Sequence, residues 1–327
     1  MLIRTIILLA ATAAAPFNAA ARDSPGTGVP NAPDPPIASC ESAYAELPYG
    51  TILDLLDPDA PIGRREAALA AYERLAAMER CPEFGYTLGQ LYRHGADLPG
   101  NLVEQDVERA RALIRPMAED GHLDAYADLA EMEMRHANSR EMMKWTQVYL
   151  HFVDDVLMDY IEDASDAHFQ RSAYNGNLLA RAEVIWKWPK PRLPRKLIRQ
   201  DLNEYLAEHG ERVTRRMHER MQGKYQRHSA QDGPGVRRVP GSGDCYVKPV
   251  GRAGAAAAAW IVEVLPSGET GRIVMENFVP SPEATAPLKE CLLRMRFAPH
   301  AGHQPILVRV PMVMGSRQGA SIRGRRR

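Results

Sequence analysis

Between residues 62 and 225 apolar side chains return every three or four positions, the spacing of amphipathic helices. Phe84, Leu88, Leu91 and Tyr92 form one stripe, and Ala110, Leu113, Ile114 and Met117 a second. Ala125, Leu129 and Met132 follow, then Met142, Trp145, Tyr149 and Phe152. Gly95, Gly121 and Asn138 fall between the stripes, where helix stop signals belong. A further helix is predicted over 164–185. Pro189, Pro191 and Pro194 then forbid helix until a basic one over 195–227. This half reads as all-α.

Past residue 229 the period changes. Ser229-Ala-Gln-Asp-Gly-Pro-Gly235 reads as a linker, and residues 259–265, 271–279 and 305–314 read as strands. Pro266, Ser267 and Gly268 supply the turn between the first two. Ser281, Pro282 and Glu283 have the chemistry of a helix cap, first position and first-turn acid. Pro287 leaves open a later start capped by Thr285. Leu288, Cys291, Leu292 and Met295 line one face of that helix. Pro311 lacks a ladder donor and argues for an edge position of the third strand. The predicted order is β-β-α-β.

The N-terminal end reads as an export signal. Arg4 precedes an apolar run from Thr5 to Ala15, and Ala19, Ala20 and Ala21 offer small residues for cleavage. A membrane-spanning helix needs ~20 apolar residues, and Pro16, Asn18 and Arg22 interrupt the run before that. Whether the signal is cleaved or kept as an anchor stays open. The expected layout is a signal over 1–21, a disordered Pro/Gly-rich spacer over 22–39 and a helical domain over 40–228. A linker over 229–242, a small α+β domain over 243–314 and a basic tail over 315–327 complete it. The expected location is the periplasm.

The helical stripes also repeat. Phe84, Leu88, Gly89, Leu91, Tyr92 and Gly95 are followed by Ala110 and Leu113, then by Met117, Ala118 and Gly121, and Ala125 and Leu129 open the next unit. Ala110 and Leu113 recur as Met142 and Trp145. This pattern resembles the Sel-like repeat, a relative of the tetratricopeptide repeat, over roughly residues 63 to 155. The resemblance implies a solenoid of stacked helix pairs, each covering an apolar face that its neighbour cannot cover alone. The C-terminal segment carries a different likeness. Its Pro-Ser-Gly turn, its helix with Cys291, and the element Arg296-Phe297-Ala298-Pro299 are similar to the TonB C-terminal domain, over about 243 to 314. The likeness implies that Phe297 packs under the sheet. It also implies that partner segments are captured as an added strand along Ile306 to Met314, with Ile306, Val308 and Val310 as contacts.

Charge and cysteines refine this picture. The formal net charge is zero, yet residues 41–163 carry a net of roughly −14 and the remainder roughly +14. The basic half lacks the interleaved aromatics of a base-stacking platform, so nucleic acid is not an expected partner. Its basic helix most often means a solvated face, with a partner surface as the other reading. Membrane contact is expected only through Arg323 to Arg327 or a retained signal. Cys40, Cys81, Cys245 and Cys291 allow three disulfide connectivities in an oxidising compartment. The simplest pairs within halves, Cys40 with Cys81 and Cys245 with Cys291.

Catalytic motifs are not found. Ser242 between glycines lacks a recognisable His or Asp partner, and His300 and His303 lack further ligands. Asp154, Asp155, Asp159, Glu162 and Asp163 read as a hydrated helix face rather than a calcium site. No catalytic, cofactor or metal residues are expected. The function expected is that of a binding adaptor holding envelope proteins or peptides. The competing expectation is an envelope or cell-wall hydrolase, or its accessory, whose site lies unrecognised in the helical half.

Overall fold

The computed structural model of the chain describes residues 46–77, 81–136, 138–157, 178, 181–182, 184–185, 192–229, 236, 238–239, 241–242 and 256–314. The predicted signal, spacer and basic tail lie outside these residues, as does most of the 164–185 helix. In chain order the described elements are α1 (Thr51–Leu56), α2 (Ile62–Ala76), α3 (Pro82–His94), α4 (Val107–Glu119), α5 (Leu123–His136) and α6 (Ser139–Phe152). Then come α7 (Arg195–Tyr205) and α8 (Glu211–Ser229), joined by a π turn at Leu206–Gly210. Strands β1 (Ala256–Val264) and β2 (Thr270–Val279), helix α9 (Pro282–Leu293) and strand β3 (Ile306–Met314) close the series. The molecule is a mostly helical body with a small three-stranded antiparallel sheet.

Local chemistry explains the boundaries. Asp106 caps α4 by accepting from the Arg109 amide at 2.9 Å. Asn138, read from sequence as a stop signal, instead opens α6 by accepting from the Glu141 amide. Ser281 caps α9 with Pro282 at its first position, and Pro287 is accommodated inside the helix rather than delaying its start. Close packing of α3 on α4 depends on Gly89. A Cβ there would stand 2.7 Å from Ile114 Cγ1 and 3.4 Å from the Ala110 carbonyl.

The strand order is β2-β1-β3, so β1 is central and β3 lies at an edge. In register, Val262 faces Val308, Trp260 faces Val310 and Ala259 faces Pro311. A register shift between Ala259 and Trp260 marks a bulge against β2. Trp260, Val262 and Val264 are buried on the face that packs with Leu288 and Leu292 of α9.

Two apolar cores share one wall. The first gathers α4, α5, α6, α7 and α8 around Tyr126, Trp145 and Phe152. The second joins α1 and α2 to the sheet and α9. Helix α3 serves both, turning Tyr86 and Tyr92 to the first and Phe84, Leu88 and Leu91 to the second. Its residues from Phe84 to His94 are all buried. Packing thus runs across the 229–242 segment, and Ser39–Arg327 forms one compact unit. Side chains reinforce the junction: Tyr49 donates to Glu263 at 2.9 Å, and Arg272 pairs with Asp54 at 2.6 Å.

Candidate functional site

Where α3 meets α5 and the sheet, the apolar seam is broken by charge. Gln90, Arg93 and His94 lie on α3, with Tyr86 one turn earlier, and Asp128 and Glu131 lie one turn apart on α5. Arg181 enters from the helical positions around 181–185, and Asn277 from β2. Arg93 Nη2 reaches Glu131 Oε2 at 2.7 Å. Arg181 grips the same carboxylate with Nε at 2.8 Å and Nη2 at 2.6 Å. Both guanidiniums also hold Asp128 Oδ1. Asp128 further accepts from Tyr86, from Gln90 at 2.7 Å and from Asn277 Nδ2 at 3.1 Å.

The cluster is two cations against two anions, all buried, and charges removed from water persist only when paired this fully. Burial opposes ionisation of Asp128, but Arg181 and Arg93 outweigh it, helped by hydrogen bonds from Tyr86 and Arg181. The carboxyl is held well below the usual carboxylate range. Burial, followed by the Asp128 charge, pushes the Tyr86 phenol far above its ordinary value. These groups act as a clasp between helices and sheet.

His94 is the clasp's titratable member. Its ring packs on Phe278 with centroids 4.1 Å apart, and Nε2 donates to Asn277 Oδ1 at 3.0 Å. Nδ1 is buried without a hydrogen-bond partner. Burial, and then the Arg93 charge, lower its pKa well below that of free imidazole, while the Asn277 bond opposes them. In the unfolded chain the imidazole takes up a proton near pH ~6.5. Stability owed to neutral His94 is therefore complete above that pH and is lost as pH falls below it. Thermal melts between about pH 7.5 and about pH 5 should show a declining midpoint. His94→Gln should flatten that decline; an equally steep decline in the variant would show that His94 is not its source.

Above the clasp lies a cleft of ≈ 380 Å³ between the sheet and the helices. Ala257 and Ala259 form its floor, and their small side chains leave the space open. Tyr86, Met117 and Arg181 stand on the helical side, Arg309 and Pro311 on the strand side. Arg309 is half exposed and grips the buried Glu276 across β1 with two bonds of 2.6 Å.

The residues singled out from sequence are placed as follows. Ile306, Val308 and Val310 lie on β3, half-buried, on the face they share with Trp260 and Val262. Cys81, just before α3, and Cys291, in α9, are each disulfide-bonded. Cys40 and Cys245 lie outside the described residues. Ser242 is a fastener: its Oγ donates toward the carbonyls of Val239 and Arg296 and accepts from the Arg296 amide at 3.0 Å. His300 contacts the Val264 carbonyl at 3.4 Å, and His303 is exposed. Asp155 pairs with His151 at 3.2 Å, while Asp159, Glu162 and Asp163 lie outside the described residues. Among the described residues no three His, Cys, Asp or Glu side chains are grouped to hold a metal.

Sequence reasoning missed the clasp. Its signal was charged side chains set directly beside apolar stripe residues, Arg93 beside Leu91 and Tyr92, and Asp128 beside Leu129. No helix among the described residues is long and apolar enough to cross a membrane. No family model, no curated protein and no solved structure matches the chain.

Proposed function

We propose that the chain is a periplasmic adaptor that captures an extended polypeptide by adding it as a strand to β3. In this reading the helices form a Sel-like solenoid and the C-terminal segment is a TonB-like module. The observation that carries it is the strand order, which leaves β3 with a neighbour on one side only among the described residues. The opposite strand, β2, is flanked by α1 and α3 through Arg272–Asp54 and Asn277–His94. An unpaired strand edge offers amide and carbonyl groups to an incoming chain, and the side chains beside it select which chain fits.

Pro311 fixes which groups are offered. Proline is tolerated in a strand where its missing N–H points away from the neighbour. Alternation along an antiparallel pair then turns the backbone groups of Leu307 and Arg309 outward, with the Pro311 carbonyl. Val308 and Val310 donate inward to β1. Proline at Val308 would therefore break the protein's own sheet, and Leu307→Pro is the discriminating change. Recovery of partners from periplasmic extract, followed by calorimetry with the recovered segment, measures the effect. Leu307→Pro should weaken capture by about tenfold or more, since it removes one outward donor and crowds the edge. Unchanged affinity in a variant with wild-type circular dichroism would rule out strand addition at β3.

A further inference from the structure

The start of α7 carries a compact set of cations on the side turned away from the core. Arg195, Lys196 and Arg199 are exposed there, and exposed Arg192 precedes them. Ile198, Leu202 and Tyr205 face inward against the helical core. None of the four cations makes an ion pair or side-chain hydrogen bond with a described residue. The acids that follow on the same helix are engaged elsewhere. Asp201 is held by Arg140 at 2.7 and 3.0 Å, and Glu204 accepts from Gln200 at 2.8 Å.

This placement opposes the helix's own field. The N-terminal end of a helix is its positive pole, and α7 has no acid in its first turn to offset the added cations. An anion seated there relieves both repulsions at once. The three side chains on the helix have one sign and lie within about one turn, roughly 6 Å of rise, on the outside of a rod, with Arg192 just before them. That shape suits a surface of many phosphates better than a single enclosed anion. Among the described residues no aromatic side chain is exposed beside them to stack a base, which disfavours nucleic acid.

We propose that the exposed N-terminal face of α7, formed by Arg192, Arg195, Lys196 and Arg199, binds the phosphate headgroups of anionic phospholipid. The surface is separate from β3 and does not depend on strand capture. The test is sedimentation of the full chain with vesicles of phosphatidylcholine, with and without one-third phosphatidylglycerol, at low and high salt. Binding should require phosphatidylglycerol and weaken as salt rises. The combined variant Arg195→Gln, Lys196→Gln, Arg199→Gln should partition about a hundredfold more weakly, since each basic residue near an anionic surface contributes about fivefold. Its circular dichroism should match wild type, because all three side chains are exposed. Neutralising Arg323, Arg325, Arg326 and Arg327 instead should leave most of the binding. The proposal is overturned if the tail variant alone abolishes binding, or if vesicles without phosphatidylglycerol bind equally. Release by inorganic phosphate beyond that caused by chloride of equal ionic strength would also overturn it, by revealing a free-anion site.

Discussion

Asp128→Ala should destabilise the protein by about 3–5 kcal/mol, the usual result of removing one partner from a buried ionic cluster. The cause is what remains behind. Arg93 and Arg181 would share the single carboxylate of Glu131, while Tyr86, Gln90 and Asn277 would each lose an acceptor. Neither guanidinium can turn to water, because both are buried. Urea unfolding followed by circular dichroism measures the loss. A double change, Asp128→Leu with Arg181→Met, should be less harmful than Asp128→Ala alone, since it removes the burial penalty of both charges. If the double variant is the weaker protein by the sum of the single effects, the coupling is wrong. The sign of the pH dependence follows from the depressed carboxyl. Its contribution is complete above about pH 4, the unfolded value, and is lost as pH falls toward the folded value. Asp128→Ala should therefore show a shallower acid transition than wild type.

Gly268→Ala should cost about 3 kcal/mol or more, although its neighbours in the turn, Ser267 and Glu269, are exposed. Its φ of 85° lies in the left-handed region that side chains disfavour by about 1–2 kcal/mol. A Cβ there would also fall 2.1 Å from the Phe297 carbonyl oxygen, so the segment after α9 must move. That segment is tied to the turn by the Phe297 amide, which donates to the Gly268 carbonyl at 3.1 Å. Moving it would dislodge the buried Phe297 ring. Ser267→Ala, one residue earlier and exposed, is the control and should change stability by less than about 0.5 kcal/mol. Equal urea midpoints for the two variants would show that the turn tolerates a side chain.

How much of this was legible in the sequence depends on the distance over which the cause acts. The stripes from Phe84 to Phe152 gave the helices, because burial of one face is written in local spacing. The period-two runs and the Ser281-Pro282 cap gave the β-β-α-β order for the same reason. Pro311 gave the edge position of β3, since a missing donor is a property of one residue. The clasp was not legible. Asp128 and Asn277 meet across 149 positions, and no periodicity links them. The cleft was equally hidden, because Ala259 read as the start of a strand and Ala257 fell before it, neither as the floor of a space. Asn138 was misread because asparagine serves both ends of helices, and only the Glu141 amide decides between them.

The shared wall of α3 has a consequence for how the chain comes into being. Leu53, Phe84 and Leu88 are covered by residues of β1, β2 and α9, some 200 positions further along the chain. Synthesis at ~5–20 residues per second leaves their partners unmade for roughly 10–40 s after these side chains emerge. During that interval α1, α2 and this face of α3 have only one another to pack against, as Tyr72 does on Phe84 at 5.3 Å, and a long loop remains to be closed. A ribosome stalled before residue 256 would hold a chain that has α1, α2 and α3 of its second core but neither the sheet nor α9 that close it. What is written near the end of the chain is what lets its first helix settle.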